Sequence, residues 1–209
     1  MVIGSPGILG KIMIDGKVGV VGQQVDKNNK VCYNNKIIPF FANYIYLALN
    51  KPVGYVCSRR QQGETPTIFS LLPPEYQNLK TVGRLDKDSS GLILLTNDGD
   101  FAYRMTHPKF YKDKIYIVEL NRPLEPLHQQ LISDFGVEIG DGFSKLGLIR
   151  LDDTRKRFQV TMHEGRNRQI RRTFESLGYS VKTLERTVFG RYELSGLKVG
   201  KFTEVKNYS

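Results

Sequence analysis

Residues 83–91 read Gly-Arg-Leu-Asp-Lys-Asp-Ser-Ser-Gly, a polar and charged turn that is followed by the apolar run 92–95. Successive apolar residues of this kind are typical of a strand that is buried on both faces. Arg84 and Asp86 have a spacing that puts both side chains on one face of an extended chain. A guanidinium beside a carboxylate favours the ionised form, which a carboxylate nucleophile needs. The segment therefore indicates Asp86 as a candidate nucleophile.

Two other interpretations of this segment remain open from the residues alone. Asp86, Asp88, Ser90 and Gly91 occupy the first, third, fifth and sixth places of a calcium-binding loop. Asn97, however, stands at the twelfth place, where that loop needs a bidentate glutamate. The two aspartates are also common turn formers, so the segment can be a decorated hairpin. A hairpin of this kind does not require an arginine two residues before the first aspartate.

A second charged segment, residues 163–172, reads His-Glu-Gly-Arg-Asn-Arg-Gln-Ile-Arg-Arg and holds four arginines within seven positions. It opens the clearest predicted helix of the chain, residues 167–177. Exposed cations at a helix N-terminus are disfavoured by the helix dipole, by about 0.3–1 kcal/mol each. We therefore expect anions beside these arginines, either phosphates or carboxylates of the same chain. The alternative is a solvated charged face, in which Arg171 pairs with Glu175 one helical turn further on.

Two shorter segments give weaker signals. Lys114 and Tyr116 lie on a predicted strand, residues 114–120. The basic residues around the tyrosine are compatible with a base-stacking role, but a tyrosine on a strand usually packs across strands. Residues 51–54 read Lys-Pro-Val-Gly and form a sharp turn at a strand exit. There Lys51 either contacts phosphate or is solvated, which is the commoner case.

The composition limits the class of protein. The 209 residues carry a net charge of +10, and 40% are hydrophobic, which predicts one medium domain, or one with a small appendage, that attracts polyanions. A basic surface kept for solubility alone is the other interpretation of the charge. No apolar run is long enough to span a bilayer. The two cysteines and three histidines show no metal-ligand spacing. We expect a reduced, cytoplasmic protein without membrane or metal, although two cysteines would allow one disulfide.

The order of the predicted elements favours an α+β chain. Strands outnumber helices and no βα unit repeats, so we expect a mixed, mainly antiparallel β-sheet flanked by helices and preceded by a small β-rich unit, residues 11–38. The predicted strands cover residues 44–49, 55–57, 92–95, 114–120, 144–151, 158–162, 181–188 and 197–205. The predicted helices cover residues 68–72, 98–105, 126–135 and 167–177, with Asp98 as the cap of the second.

Taken together and in this order, the four segments resemble the pseudouridine synthases, in particular the RsuA-like branch with its small-subunit and large-subunit members. The matching motifs are Lys-Pro-x-Gly at 51–54, Gly-Arg-Leu-Asp at 83–86, Lys-x-Tyr at 114–116 and Gln-Ile-Arg-Arg at 169–172. Residues 184–187 and 194–196 also resemble this branch and favour its large-subunit members. The resemblance covers residues 44–205 and implies the pseudouridine synthase catalytic fold.

The resemblance implies an isomerase that converts a specific uridine of ribosomal RNA to pseudouridine, with 23S preferred over 16S RNA, and that uses no cofactor and no metal. It implies that Asp86 is the nucleophile, that Tyr116 stacks on the target base and assists proton removal, and that Arg171 pairs with Asp86. Arg84 would enter the space that the flipped uridine leaves. The other expected RNA contacts are Lys51, Lys114, Arg166, Arg168, Arg172 and Arg186. The family suggests a monomer.

The N-terminus departs from the family pattern. Related enzymes often begin with an S4 RNA-binding domain, which consists of two basic helices and then a small sheet. Residues 12–38 resemble only the second half of that domain. We therefore expect a partial S4-like unit over residues 1–40, without the leading helices, and a pseudouridine synthase catalytic domain over residues 41–209.

Two other functions are compatible with parts of the sequence. A non-catalytic, basic S4-type RNA-binding module would explain the charge but not Asp86, because a carboxylate that faces RNA repels phosphate. A nucleoside hydrolase would typically need a second carboxylate across the bond, and Asp88 is the only nearby candidate. The set Arg84, Asp86, Tyr116 and Arg171 favours the isomerase.

Overall fold

A computed structural model describes residues 12–26, 28–38, 44–59 and 63–208 of the chain. The chain divides into two compact units, residues 1–44 and 45–209. Each unit has its own core. The assignment of the first unit as S4-like and of the second as catalytic stays a prediction at this point.

The first unit is a small antiparallel sheet, as the turn signals in residues 11–38 predict. Its strands are β1 (Ile12–Ile14), β2 (Lys17–Val18), β3 (Val31–Tyr33) and β4 (Lys36–Ile37), in the order β2-β1-β3-β4. Ile14, Val25 and Val31 form its buried core. The Asp15 carboxylate accepts hydrogen bonds from the Lys30 amide and from Asn29, both at 2.7 Å, and so joins the first turn to the segment before β3.

The second unit is built on a mixed, mainly antiparallel sheet of nine strands in the described residues. Its strands, together with those of a separate hairpin, are β5 (Tyr46–Lys51), β6 (Lys80–Val82), β7 (Ser90–Thr96), β8 (Lys114–Leu120), β9 (Val137–Glu138), β10 (Phe143–Ser144), β11 (Gly147–Arg150), β12 (Arg157–Met162), β13 (Val181–Phe189), β14 (Tyr192–Glu193) and β15 (Phe202–Glu204). The main path runs β11-β12-β8-β13-β7-β5-β15, with β14 beside β13 and β6 beside β7. Strands β9 and β10 pair with each other. The α+β class with a mixed sheet is thereby confirmed.

Strand β7 lies near the centre of this sheet and is buried on both faces. Ile93 and Leu95 belong to the larger hydrophobic core, and Leu92 and Leu94 to the smaller core. Alternate side chains of a strand point to opposite faces, so one uninterrupted apolar run supplies both cores. The prediction of a buried strand over residues 92–95 is confirmed.

The helices cover the sheet on both faces. Helix α1 (Gly99–Thr106) places Phe101 and Met105 in the smaller core, and α3 (Gln169–Glu175) places Ile170 and Phe174 in the larger one. Helix α2 (Pro126–Gln130) continues as a π-helical turn, Leu131–Phe135. Short 3₁₀ helices cover Ile68–Leu71, Pro74–Tyr76 and Pro108–Phe110. The predicted cap is also confirmed, because the Asp98 carboxylate accepts from the amides of Asp100 and Phe101, each at 3.0 Å.

Several predicted boundaries are wrong, and in each case a turn interrupts the expected element. Only Val56 of the predicted strand 55–57 makes a bridge, to Thr67. The predicted strand 144–151 is split between β10 and β11, and the predicted strand 197–205 is reduced to β15, because Gly200 has a φ of +75° before it. Helix α3 begins two residues later than predicted because Arg168 adopts a left-handed φ of 48°.

Two sequence expectations concern the chain as a whole. Both cysteines, Cys32 and Cys57, are free thiols. In the described ranges, none of the helices has the length and apolar character needed to cross a bilayer.

The parallel pairing of β7 with β13 requires a glycine at position 91. Gly91 pairs with Arg186 and has a φ of +100°, and a Cβ atom there would lie 2.3 Å from the Arg186 carbonyl oxygen. Overpacking and left-handed strain each cost about 1–3 kcal/mol. We expect Gly91→Ala to lower the free energy of unfolding by about 3 kcal/mol, as measured by urea denaturation.

Gly99→Ala is the matched control, because no atom would lie within 4 Å of a Cβ atom at that position and its φ is outside the left-handed region. Its unfolding midpoint should equal that of the wild type or exceed it slightly. Equal midpoints for Gly91→Ala and Gly99→Ala would show that the close approach of β7 and β13 does not constrain position 91.

Candidate active site

A cavity of about 540 Å³ opens beside the turn that contains Asp86. Its walls come from this turn, from β8 and β13, from the end of α1 and from the arginine-rich segment before α3. Among the lining residues are Gly83, Arg84, Leu85, Asp86, Ser89, Thr106, Pro108, Lys114, Tyr116, Met162, His163, Glu164, Arg166, Arg168, Leu184, Arg186 and Phe189. The cavity therefore brings together three of the four sequence segments that were singled out for chemistry.

Hydrogen bonds from the Lys-Pro-Val-Gly turn, residues 51–54, hold the turn that contains Asp86. Lys51 has no exposed surface, and its ammonium donates to the carbonyls of Ser89, at 2.6 Å, and Pro52, at 3.0 Å. The Gly54 amide donates to the Lys87 carbonyl at 2.8 Å. Burial lowers the pKa of Lys51, and the negative potential of nearby acidic groups, including Asp86, works against that shift. The expectation that Lys51 contacts RNA phosphate is wrong for this structure, because the ammonium is enclosed and bound to backbone carbonyls.

The half-buried thiol of Cys57 also holds the turn that contains Asp86. The Cys57 thiol lies 3.4 Å from the Leu85 carbonyl oxygen, to which it donates, and its sulfur accepts from the Leu85 amide at 3.5 Å. Burial raises the pKa of this thiol. Cys57 therefore remains a neutral donor that holds the residue before Asp86.

Strand register places the tyrosine of the Lys-x-Tyr motif beside a buried arginine. Tyr116 on β8 is opposite Arg186 on β13, and Arg186 is opposite Gly91 on β7. Directly paired residues share a face of the sheet. Tyr116 is 7% exposed and Arg186 is 2% exposed, and both line the cavity. The Arg186 guanidinium donates to the Leu92 carbonyl at 2.7 Å and lies 4.7 Å from the centroid of the Phe189 ring.

The arginine-rich segment is bound to carboxylates of the same chain, which is one of the two kinds of anion expected there. Arg166 pairs with Asp141 at 3.2 Å and with Glu164 at 3.0 Å, and Arg172 pairs with Asp141 at 2.8 Å. Among the ion pairs of the described residues, the alternative pair of Arg171 with the glutamate one turn further along the helix does not occur. These internal pairs offset the cost of placing cations at a helix N-terminus.

Asp88 is the carboxylate that receives most of the arginine contacts near the nucleophile candidate. Arg168 donates to both of its oxygens, each at 3.1 Å, and Arg171 Nε lies 3.2 Å from Oδ2. Arg171 also donates to the Asp88 carbonyl at 2.8 Å and to the Val181 carbonyl at 2.8 Å. This corrects the expected pair of Arg171 with Asp86. The guanidinium near Asp86 is that of Arg168, at 3.9 Å.

The same contacts argue against Asp88 as a general acid. Burial raises the pKa of Asp88, but the hydrogen bonds from Arg168 and the charge of Arg171 outweigh it, so the pKa lies below its usual range. A carboxyl group of this kind holds no proton near neutral pH. The second carboxylate that a nucleoside hydrolase would need is therefore not supplied by Asp88.

A polar network holds the backbone ahead of α3. The Gln169 side chain accepts from the Arg166 amide at 3.2 Å and donates to the Ser144 hydroxyl at 3.1 Å and to Glu164. Thr173 donates to the Ser144 hydroxyl at 2.7 Å. Gln169, Ser144 and Thr173 are all buried. Because buried polar groups that are fully paired give a rigid arrangement, the arginines of this segment project from a defined backbone.

The predicted site residues therefore fall into two groups. Those that line the cavity are Arg84, Asp86, Lys114, Tyr116, Arg166, Arg168 and Arg186. Those outside its lining are Lys51, Arg171 and Arg172. Arg171 is buried and holds the Asp88 backbone, and Arg172 is bound to Asp141 and to the carbonyls of Ile139 and Asn167.

Sequence reasoning missed the supporting residues. Asp88 was considered only as a turn former, a calcium ligand or a second carboxylate, although four arginines elsewhere in the chain signal a need for acidic partners. Cys57 gives no sequence signal, because its contact with Leu85 spans 28 residues. Lys114 was expected to contact RNA, whereas its ammonium donates to the carbonyls of His163 and Glu164 at 3.0 and 3.1 Å.

Most of the chain is similar to known RNA-modifying enzymes. A family model described as RNA pseudouridylate synthase matches residues 45–176. The ribosomal small subunit pseudouridine synthase A of Pasteurella multocida is 36% identical, over 88% of this chain and 79% of the relative. The ribosomal large subunit pseudouridine synthase B of Bacillus subtilis is 33% identical, over 94% of this chain and 82% of the relative. A crystal structure of a pseudouridylate synthase superposes with a TM-score of 0.73 at 30% identity, covering 94% of this chain and 85% of that one.

The contacts of Asp88 give a pH-dependent prediction. Because its pKa is lowered in the folded protein, its contribution to stability is complete above the unfolded value of about 3.9 and is lost as the pH falls through the folded value. Its side chain is 45% exposed, so we expect Asp88→Asn to lower the free energy of unfolding at pH 7 by only about 1 kcal/mol. In urea denaturation at pH 3 the difference from wild type should shrink.

Asp153→Asn is the control, because Asp153 pairs with Arg150 at 3.5 Å but its side chain is fully exposed. Its unfolding curve should match that of the wild type at both pH values. A difference between wild type and Asp88→Asn that is the same at pH 7 and pH 3 would contradict the assigned ion pairs.

Proposed function

The chain belongs to the RNA pseudouridylate synthase family, and on that premise we propose that it isomerises a specific uridine of ribosomal RNA to pseudouridine with Asp86 as its nucleophile. The observation that carries the proposal is the position of Asp86. It is a half-buried carboxylate in the wall of a cavity that contains Tyr116 and is otherwise rich in cations.

The reaction has a simple balance of atoms. The bond from C1′ of the ribose to N1 of uracil breaks, the base turns, and a bond from C1′ to C5 forms. The proton on C5 is lost and N1 gains one, so that substrate and product are isomers. A carboxylate nucleophile holds the ribose or base while the ring turns, which divides one difficult step into easier ones. Neither a redox step nor a phosphate transfer is needed.

Tyr116 is proposed to contact the target base. Its ring is nearly enclosed but borders the cavity, and it is held by pairing with β12 and β13 on both sides. A uracil that has left its stack can lie against such a ring. The phenol is then close enough to the base to assist removal of the C5 proton.

Arg171 is proposed as a positioning residue. Its guanidinium donates to two carbonyl oxygens, of Asp88 and Val181, and so joins the nucleophile turn to the start of β13. Arg168, whose side chain is 40% exposed, is the guanidinium that lies nearest to Asp86. The charge partner of the nucleophile and the residue that holds its loop are therefore two different arginines.

The remaining cations of the cavity suit an RNA strand. Arg84 is an exposed residue of the nucleophile turn, two positions before Asp86, where it can fill the space that a flipped uridine leaves. Arg166 and Arg186 lie around the same opening. A pure RNA-binding module would gain nothing from a carboxylate at this point, since Asp86 would repel phosphate.

Ribosomal RNA is proposed as the substrate because the similar enzymes named above are ribosomal small and large subunit pseudouridine synthases. Residues 184–187 and 194–196 favour the large-subunit RNA. The first unit is proposed to be a partial S4-like RNA-binding unit, on its four-stranded sheet and the turn formed by Asp15 and Gly16.

Replacement of the nucleophile should abolish the reaction. The substrate is large- or small-subunit ribosomal RNA transcribed without modifications and tritiated at uridine C5, and the measurement is tritium release. Wild type should release tritium, and Asp86→Asn should be slower by at least about a thousandfold with an unchanged unfolding midpoint. Asp153→Asn should behave as wild type. Turnover that survives in Asp86→Asn would refute the nucleophile assignment.

Loss of the positioning arginine should affect turnover more than binding. Arg171→Ala removes the donors to Asp88 and Val181, so we expect the single-turnover rate to fall about a hundredfold while the Kd for RNA stays within about threefold. Arg171→Lys keeps one donor and should restore part of the rate. If affinity falls and turnover of bound RNA is normal in Arg171→Ala, then Arg171 contacts phosphate instead.

A further inference from the structure

The end of α1 and the 3₁₀ turn after it carry a cluster of rings that we call the aromatic platform: Tyr103, His107, Lys109 and Phe110. The ring centroids of Tyr103 and His107 are 4.8 Å apart, those of Tyr103 and Phe110 are 5.8 Å apart, and those of His107 and Phe110 are 6.3 Å apart. The Lys109 ammonium lies 5.1 Å from the Tyr103 ring centroid and 4.8 Å from that of Phe110. Three rings and one cation thus form a continuous group.

The platform is not part of either hydrophobic core of the second unit. Helix α1 buries Phe101 and Met105, whereas Tyr103 remains 46% exposed and His107 is exposed as well. Large aromatic groups that contact one another at the surface without being covered often mark a recognition surface.

The charge around the platform is strongly positive. Residues 103–114 contain four basic side chains and one acidic one, Asp113. Asp113 is bound to His163, at 2.8 Å. In the described part of the chain, Lys109 takes part in none of the ion pairs and contacts ring faces instead. Its ammonium is therefore available for a phosphate.

The platform adjoins the cavity that holds Asp86. Thr106 and Pro108, which lie between the platform residues in the chain, both line that cavity. The Thr106 methyl group would lie 3.6 Å from a Cβ atom at Gly83, the first residue of the nucleophile turn. A strand of nucleic acid that enters the cavity with one nucleotide can therefore lay a neighbouring nucleotide on the platform.

We propose that the aromatic platform stacks an unpaired base of the substrate RNA next to the uridine that enters the cavity, and that Lys109 contacts the adjoining phosphate. Single-stranded RNA is typically bound by aromatic rings that stack on bases, together with basic side chains that follow the backbone. The proposal rests on the proposed function for the presence of RNA at the cavity, and it adds a second point of contact outside it.

His107 is suited to a polar contact in the same place. Its Nδ1 accepts a hydrogen bond from the Lys109 amide at 3.3 Å. The proton of the neutral ring is then on Nε2, which can donate to an RNA acceptor. The platform thus offers ring faces, the Lys109 ammonium and one imidazole N–H donor, a combination that suits a nucleotide because a base stacks on rings and its phosphate pairs with a cation.

The test uses the full chain and unmodified ribosomal RNA. Tyr103→Leu removes one ring, Tyr103→Phe keeps it, and Lys109→Gln removes the cation. Phe135→Ala is the matched control, because Phe135 is an exposed aromatic residue, at 70%, that lies outside the platform and the cavity lining. Kd is measured by filter binding at several salt concentrations, and turnover by tritium release.

We expect Tyr103→Leu to raise Kd and KM about tenfold while kcat stays within about twofold, because stacking of one base is lost. Tyr103→Phe and Phe135→Ala should match wild type. Lys109→Gln should reduce the slope of log K against log salt by about 0.7, the value for one phosphate on a single strand. Lys109→Gln leaves all three rings in place. Its salt slope therefore still tests the RNA contact if Tyr103→Leu lowers the stability of the protein, and Tyr103→Phe shows whether the Tyr103 hydroxyl matters.

The outcomes separate this inference from the proposed function. If wild type releases no tritium but Tyr103→Leu and Lys109→Gln still weaken RNA binding as stated, the proposed reaction is wrong and the platform stands. If wild type is active and both variants retain wild-type Kd, KM and salt slope, the platform does not contact RNA. If, in addition to this second result, wild type binds an acidic peptide and Lys109→Gln does not, the platform binds a protein partner and not RNA.

Discussion

The site depends on the close approach of two parallel strands. Strand β7 can pair with β13 at Gly91 only because that residue has no Cβ atom and tolerates a positive φ. This pairing brings the turn that ends at Gly91 beside Arg186, and the antiparallel pairing of β13 with β8 then adds Tyr116 on the same face. Tyr116 and Arg186 are therefore placed by backbone register, which also brings the turn of Asp86, the proposed nucleophile, beside them.

The second constraint is electrostatic. A segment with four arginines would repel itself at a helix start. Two carboxylates from distant parts of the chain, Asp88 and Asp141, and one within the segment, Glu164, pair with these arginines and prevent this. Two of the arginines, Arg168 and Arg171, form ion pairs with Asp88. The same ion pairs therefore hold the turn that contains Asp86. Asp86, the proposed nucleophile, is thus left with one guanidinium at 3.9 Å, and the shorter ion pairs are made by Asp88.

The fold could be predicted from the sequence where local pattern is sufficient. The apolar run 92–95 predicts β7, and the predicted strand 114–120 has the same bounds as β8. Asp98 caps α1 as expected. The pairing of side chains could not be predicted in the same way. Arg168 and Asp88 are 80 residues apart in the chain, and no local signal distinguishes Asp86 from Asp88 as an arginine partner. The position of Lys51 could not be predicted for the same reason. A lysine on a turn is usually solvated, and the Ser89 carbonyl that accepts from the buried Lys51 ammonium is 38 residues away in the chain.

The residues proposed for the chemistry and those proposed for the recognition of RNA lie on different kinds of structure in this chain. Asp86 and Tyr116 depend on the central strands, where a shift of one residue would move every side chain to the other face. The exposed rings of Tyr103 and His107 are on the end of a short helix and the turn after it, whose surface residues can change without altering strand register. If the aromatic platform binds RNA as proposed, substitutions at the helix end change which RNA is bound and leave the strands that carry Tyr116 and the Asp86 turn unaltered. On the proposed roles, the same sheet is compatible with different RNA substrates, and relatives of this chain are named for small-subunit and for large-subunit ribosomal RNA.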